Sequence, residues 1–197
     1  MNNRTAVSTI CVSLTVVVLI AFNSSAAERD LANYVGVKTC GICHKSEDTG
    51  NALAKWQASP HAKAFELLGT AEAKETGKKA GVDDPQKSGK CLKCHSTAYN
   101  FTESVATEKI KPEDGVVCES CHGPGKKYMP KSTMEDRAKA IEAGLVYPAS
   151  KSCELCHNSQ NPTWKPDRYT TKDGKKVGFD YEQAYALIAH PDPKVKH

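Results

Sequence analysis

The stretch CESCHGPGKKYM, Cys118–Met129, opens with two cysteines that are separated by two residues and followed at once by a histidine. This pattern is typical of covalent haem attachment, in which both thiols bond to the haem and the imidazole binds one face of the iron. The rest of the stretch contains no second histidine. The sequence therefore predicts a haem site here, and the ligand on the other face of the iron must come from elsewhere.

The CxxCH pattern occurs four times, as motifs 1 to 4 in chain order, and contains eight of the nine cysteines. Only seven of the 197 residues are histidines, so four histidines behind four CxxC units would arise by chance with a probability of roughly (7/197)⁴, about 10⁻⁶. A disulfide scaffold leaves these histidines unexplained, and four tetrahedral zinc sites would need more ligands than the chain has. We predict four covalently bound c-type haems. The predicted cofactor-binding residues are Cys40, Cys43, Cys91, Cys94, Cys118, Cys121, Cys153 and Cys156, and the predicted proximal iron ligands are His44, His95, His122 and His157.

The first 27 residues have the features of an export signal. Arg4 supplies a positive charge, Val7–Phe22 is mostly apolar, and Ser25–Ala27 fits the small-residue rule for cleavage. We predict a signal peptide over residues 1–27 and a tetrahaem domain over residues 28–197, in the periplasm or outside the cell. The alternative is a retained membrane anchor, although the apolar run is short for a membrane span. No stable membrane insertion is expected after cleavage.

Composition predicts a fold that depends on its cofactors. Hydrophobic residues make up 39% and aromatic residues 7% of the chain, and part of that lies in the signal peptide, so the protein would build a poor core unaided. We expect a mainly α fold, with short helices and loops wrapped around four stacked haems and little or no sheet. The formal charge of +4 is offset by the haem propionates, so it does not indicate a nucleic-acid partner.

Four stretches have helical patterns. The first, residues 59–69, has Ser59 as its predicted N-cap, and the second starts after Thr70. The third, residues 132–144, has a predicted capping box of Ser132 and Glu135. The fourth starts at Asp180 and ends at Pro191. The remainder is predicted to be turns and haem-wrapping loops.

Several motifs resemble the tetrahaem cytochrome c-554 family. They are WxxxxH at Trp56–His61, GVVCESCHGPG at Gly115–Gly125, and the order of CELCHNSQNPTWKP and FDYEQAYALIAHP near the end. The resemblance implies an α-helical fold with stacked haems, electron transfer, and distal iron ligation by His61 and His190. It also implies an open iron on the second haem, at His95. A similar motif order occurs in filament-forming extracellular tetrahaem cytochromes.

The histidine count leaves at least one iron without a second histidine. Beyond the four proximal histidines, only His61, His190 and His197 remain, and we predict all three as metal ligands. The family has a further histidine in the loop after GPG that has no counterpart here. The shortfall has three explanations: one iron is five-coordinate, Met129 or Met134 is a ligand, or a neighbouring subunit donates a histidine.

These observations favour an electron carrier that exchanges single electrons with redox partner proteins. No set of acid and base residues beside a motif indicates catalysis, so no catalytic residues are predicted. Two alternatives remain open. The protein could be a haem enzyme that acts on a small nitrogen compound, such as nitric oxide or hydroxylamine, at an open iron. It could also be a homo-oligomer or a subunit of an extracellular cytochrome filament.

Overall fold

A computed structural model describes residues 31–99 and 107–193. The predicted signal peptide and His197 lie outside these residues. Short helices dominate the described part: α1 Val37–Cys43, α2 Ala52–Ala58, α3 Ala64–Leu67, α4 Ala71–Lys79, α5 Gly89–His95, α6 Cys118–His122, α7 Lys131–Met134, α8 Arg137–Glu142, α9 Ser150–Glu154 and α10 Tyr181–Ile188. Short 3₁₀ segments span Leu31–Asn33, Glu47–Thr49, Pro60–Lys63, Pro112–Asp114 and Gly125–Lys127. Within the described residues, no helix has the length and apolar character needed to cross a membrane.

The described part of the chain contains one small sheet. Strands β1 (Tyr169–Thr170) and β2 (Lys176–Val177) pair antiparallel, with Tyr169 opposite Val177. The prediction of a mainly α fold with little sheet is therefore confirmed.

Three of the four predicted helices form near their expected positions. The first is a 3₁₀ turn that runs into α3, and the second is α4, whose first turn is capped by the Thr70 hydroxyl accepting the N–H of Ala73 at 3.2 Å. The fourth is α10, where the Asp180 carboxylate accepts the N–H of Gln183 at 2.9 Å. Both caps satisfy backbone donors that a helix start leaves unpaired.

The third predicted helix and two caps were wrong. The helix breaks at Asp136, whose carboxylate accepts a backbone N–H three residues later and starts α8 as a separate element. Ser132 lies within α7, so the predicted capping box with Glu135 does not form. Ser59 does not cap either, because its hydroxyl donates to the carbonyl of Trp56 at 2.7 Å. The Asp136 carboxylate and the Ser59 hydroxyl thus each bond to a nearby backbone group.

The CxxCH motifs begin on helices that were not predicted. These segments were expected to be loops, whereas α1, α5, α6 and α9 each begin shortly before or at the first cysteine of a motif. In a helix, residues three and four positions apart share one face. In each motif the second cysteine and the histidine follow the first cysteine by three and four residues. A helix therefore directs all three side chains toward the same side.

Side chains alone build only a thin core among the described residues. One cluster of buried hydrophobic residues forms, from Tyr34, Ala98 and Ile110. Several large hydrophobic side chains remain exposed, including Ile42, Leu67, Leu155 and Leu187. This matches the expectation that much of the interior depends on cofactor surfaces.

The segment Gly115–Val117 joins three parts of the chain just before motif 3. The N–H of Val116 donates to the carbonyl of His61 at 3.0 Å, and Trp56 Nε1 donates to the carbonyl of Val116 at 2.8 Å. Thr97, two residues after motif 2, bonds to the residues on either side of Val116. This segment therefore ties motifs 2 and 3 to the turn that holds His61.

Candidate haem-binding sites

The cysteines of different motifs meet in pairs. The Cys40 thiol of motif 1 lies near Cys118 of motif 3, and their interaction raises the pKa of Cys40 and lowers that of Cys118. The Cys94 thiol of motif 2 likewise lies near Cys156 of motif 4, and this interaction lowers the pKa of Cys94 to about 7. Motif 1 therefore adjoins motif 3, and motif 2 adjoins motif 4.

A third contact connects the two motif pairs. Burial raises the pKa of Cys121, in motif 3, to about 11, and the charge of Cys153, in motif 4, adds to this rise. These two side chains are therefore close enough to interact electrostatically. Together the contacts give the spatial order of motifs 1–3–4–2, which differs from their order along the chain.

Four histidine rings form two pairs, and the two rings of each pair lie about 6 Å apart. The ring centroids of His61 and His157 are 6.1 Å apart, with an angle of 61° between the ring planes. The centroids of His122 and His190 are 5.9 Å apart, with an angle of 72°. Each pair thus joins the histidine of one motif to a histidine outside the motifs.

Backbone carbonyls orient three of the candidate ligands. A carbonyl oxygen only accepts hydrogen bonds, so an Nδ1 beside it carries the proton and Nε2 keeps its lone pair. Such contacts of 2.8–2.9 Å join the Nδ1 atoms of His95, His122 and His190 to the carbonyls of Ala64, Val146 and Ile188, respectively. This second contact is the one that metal-bound histidines usually make.

Three of the paired histidines, His61, His122 and His157, favour their neutral forms. Burial lowers the pKa of His61 and of His122 below the ordinary value. Burial also lowers the pKa of His157, and the nearby His61 and Arg168 add to the effect. Neutral imidazole is the form that binds a metal ion.

The arrangement fits haem better than a bare metal ion. Among the described residues, no group of three or more histidine, cysteine or acidic side chains converges on one point, as a tetrahedral zinc site requires. Imidazole–metal bonds are about 2 Å long, so two rings on opposite sides of one iron have centroids about 6 Å apart. The two observed pairs have this separation, and each includes the histidine of a CxxCH motif.

The other two motif histidines have different surroundings. Within residues 31–99 and 107–193, no ring contact joins His44 or His95 to another histidine. Burial lowers the pKa of His44, which also interacts with the charges of Asp192 and His190. Met129, one of the alternative ligands, is 46% exposed. The predicted roles of His197 and Met129 thus stay predictions.

Sequence reasoning missed two residues that organise these sites. Gly115 has φ of +69°, and a Cβ there would lie 2.7 Å from the carbonyl oxygen of His61, so only glycine allows this close approach. Glu119, inside motif 3, is only 3% exposed although it is charged. Both residues lie in the stretch GVVCESCHG, and nothing in that stretch distinguishes a buried glutamate or a close backbone contact from the residues of an ordinary haem-attachment motif.

Comparisons with known proteins agree with these features. Residues 39–123, which include motifs 1 to 3, match the family described as Cytochrome c554 and c-prime. The chain is 29% identical to cytochrome c-554 of Nitrosomonas europaea over 176 residues, which covers 77% of this chain and 72% of that protein. No solved structure matches the chain significantly. With its CxxCH motifs and paired histidines, the chain therefore resembles the cytochrome c-554 family of c-type cytochromes.

Proposed function

We propose that the chain is an exported tetrahaem cytochrome c that passes single electrons between redox partner proteins outside the cytoplasm. The observation that carries this proposal is the pair of facing imidazole couples, His61–His157 and His122–His190. Each couple could hold one haem iron between its two imidazoles and would leave no position for a substrate. A haem held in this way would supply one-electron chemistry, which is the property of an electron carrier.

The chain's contribution is to hold, orient and space the haems. In the proposed arrangement His157 and His122 are the proximal ligands of the two closed irons, and His61 and His190 are their distal ligands. The bound haems supply one-electron chemistry. Carbonyl contacts at Nδ1 fix the rings of His122 and His190, so each Nε2 is held in the direction of the metal.

The motif contacts support an electron route in the order 1–3–4–2. Thiols of motifs 1 and 3 lie near each other, as do those of motifs 2 and 4, so haems attached there would be neighbours. The interaction between Cys121 and Cys153 joins the two pairs. In this order motifs 1 and 2 stand at opposite ends, where electrons would enter and leave.

His197 is the proposed distal ligand of the haem at motif 1. A Cβ on Gly50, in the loop after this motif, would lie 2.5 Å from the Pro191 carbonyl oxygen, so the chain passes close to motif 1 at that point. Asp192 also interacts electrostatically with His44. His197 follows Pro193 by four residues, a stretch that spans at most about 14 Å, so it is close in sequence to the segment that interacts with His44.

The haem at His95 is proposed to have the open iron. The resemblance to the family places an open iron there, and among the described residues no second imidazole faces His95. The runner-up function, an enzyme that reduces or oxidises a small nitrogen compound, would use this iron. We expect slow turnover of hydroxylamine or nitric oxide by the purified protein; steady-state rates of about 1–10³ per second would instead favour the enzyme.

Mass spectrometry tests the cofactor count. We expect the mature protein to weigh as much as the chain from Glu28 plus four haems, because each of the four CxxCH motifs supplies two thiols for thioether bonds. A denaturing solvent should not release the haems. A mass without covalent haem would overturn the proposal.

Replacing Gly115 by alanine should disturb the His61 ligand. The new methyl group would overlap the His61 carbonyl oxygen at 2.7 Å and displace the turn that holds the imidazole. Gly81→Ala is the matched control, because Gly81 has the same φ of +69° and no neighbour within 4 Å. Both variants should lose unfolding free energy, because alanine disfavours a positive φ. The loss should be about 1–2 kcal/mol at Gly81 and larger at Gly115, whose ψ of −141° lies in a region open almost only to glycine.

Spectroscopy separates the two effects of this substitution. Only Gly115→Ala should add a high-spin iron to the electron paramagnetic resonance spectrum of the oxidised holoprotein. Equal spectra for the two variants would show that the close approach at Gly115 does not position His61.

A further inference from the structure

Two glutamates occupy the same place in two motifs and have opposite environments. Glu119 follows the first cysteine of motif 3, and Glu154 follows the first cysteine of motif 4. Glu119 is only 3% exposed, whereas the Glu154 side chain is exposed to solvent. Each carboxylate would be connected to its haem through the same number of bonds. A comparison of Glu119 with Glu154 therefore tests how burial changes the effect of a glutamate on its haem.

The buried Glu119 carboxylate is held as an acceptor. Its Oε1 accepts the N–H groups of Val35 at 2.9 Å and Gly125 at 2.7 Å, and its Oε2 accepts the N–H of Gly36 at 2.9 Å. Both oxygens thus face donors, which is the pattern of an ionised carboxylate. Among the described residues, no lysine or arginine pairs with it. The negative charge is therefore stabilised by backbone dipoles and is not neutralised by a cation.

This charge lies between motifs 1 and 3. Gly36 immediately precedes α1, the helix that contains Cys40, so the carboxylate links the start of motif 1 to motif 3. The Cys118 contact and burial raise the pKa of Cys40, and the charge of Glu119 raises it further. Burial likewise raises the pKa of Tyr128, with the charges of Cys40 and Glu119 adding to the rise. The charge of Glu119 also acts to raise the pKa of Cys118, although the Cys40 interaction lowers it overall, so thiols of both motifs experience the negative potential of Glu119.

We propose that Glu119 is a redox-tuning residue, whose buried negative charge lowers the reduction potentials of the haems attached at motifs 1 and 3. The proposal rests on the proposed function, since it needs haems at these motifs. A negative charge stabilises the ferric state over the ferrous state, because the ferric centre has one more positive charge. The effect is large at Glu119, where little water screens the charge, and small at the solvated Glu154.

A spectroelectrochemical titration of purified holoprotein tests the proposal. Glu119→Gln should shift the ratio of reduced to oxidised haem at a fixed potential by about tenfold or more for at least one haem, which corresponds to a rise of about 59 mV for one electron. Glu154→Gln is the matched control and should shift no haem by more than about a third of this. Glu119→Asp keeps the charge and should stay closer to the wild-type potentials than Glu119→Gln does.

A second measurement needs no change at Glu119. The haems at His122 and His157 have the same proposed ligand type and the same CExCH motif, so burial of the glutamate should give the His122 haem the lower potential. The double variant Cys153→Ala/Cys156→Ala removes the motif 4 haem. Of the two redox transitions assigned to the His122 and His157 haems, the one at the higher potential should therefore disappear from the titration.

Three outcomes would overturn the tuning role. They are unchanged potentials in Glu119→Gln, equal shifts in Glu119→Gln and Glu119→Asp, and loss of the transition at the lower potential in the motif 4 variant. Haem content by mass is measured first on every protein. Absence of covalent haem from the wild type would reject the proposed function itself, whereas full haem content with unchanged potentials would reject only the role of Glu119.

Discussion

Replacing His61 by alanine is expected to convert one low-spin iron per chain into a high-spin iron. The His61 and His157 rings are separated by the distance that suits two ligands of one metal ion, so removal of one ring opens one axial position. Electron paramagnetic resonance of the oxidised holoprotein counts the high-spin irons. Carbon monoxide should bind to one more reduced haem than in the wild type.

Free imidazole provides a rescue for the His61 variant. The alanine leaves space for an imidazole from solution, which should restore the low-spin spectrum as its concentration rises. Lys63→Ala is the control, because Lys63 is exposed in the same 3₁₀ segment and should leave the spectrum unchanged. An unaltered spectrum in His61→Ala would exclude this histidine as a ligand.

His190→Ala should have the same effect on a different iron. Its ring pairs with His122 at 5.9 Å, and the two histidine couples share no member, so the double variant His61→Ala/His190→Ala should gain two high-spin irons. Leu187→Ala, at a side chain that is 80% exposed in the same terminal segment, is the control. A double variant with only one additional high-spin iron would contradict the assignment of two separate pairs.

Removal of the motif 3 thiols is expected to divide the electron route. The double variant Cys118→Ala/Cys121→Ala cannot form the two thioether bonds, so its mass should fall by one haem. Motif 3 adjoins motif 1 at Cys40 and interacts electrostatically with motif 4 at Cys153. Its loss should isolate the motif 1 haem from the remaining two. The rate of electron exchange between haems can be followed after pulsed photoreduction. In this variant, exchange between the motif 1 haem and the other haems should become slow.

The matched control deletes a haem from the end of the route. Cys91→Ala/Cys94→Ala should lose the same mass but leave motifs 1, 3 and 4 in contact, so exchange among these haems should stay fast. Equal slowing of exchange in the two double variants would reject the order 1–3–4–2. Haem content and thermal unfolding of both variants establish that each retains its other three haems.

The sequence by itself determined the chemistry that is local in the chain. Two thiols and an imidazole within five residues define a haem-attachment motif, because residues at these spacings share one helix face. Local capping was predicted correctly at Asp180, where the donor lies three residues away. At Ser132 and Ser59 the same kind of reasoning was wrong, because Ser132 lies inside α7 and the Ser59 hydroxyl donates to a nearby carbonyl instead of capping.

Only the tertiary structure decided which distant residues meet. His61 and His157 are 96 residues apart along the chain, and no local pattern selects His157 over His44 or His95 as the partner of His61. The burial of Glu119 and exposure of Glu154, at the same place in two motifs, likewise depend on the segments packed against them. Long-range pairing is set by the summed packing of the whole chain, so the sequence supplies the ligands and the fold assigns them to sites.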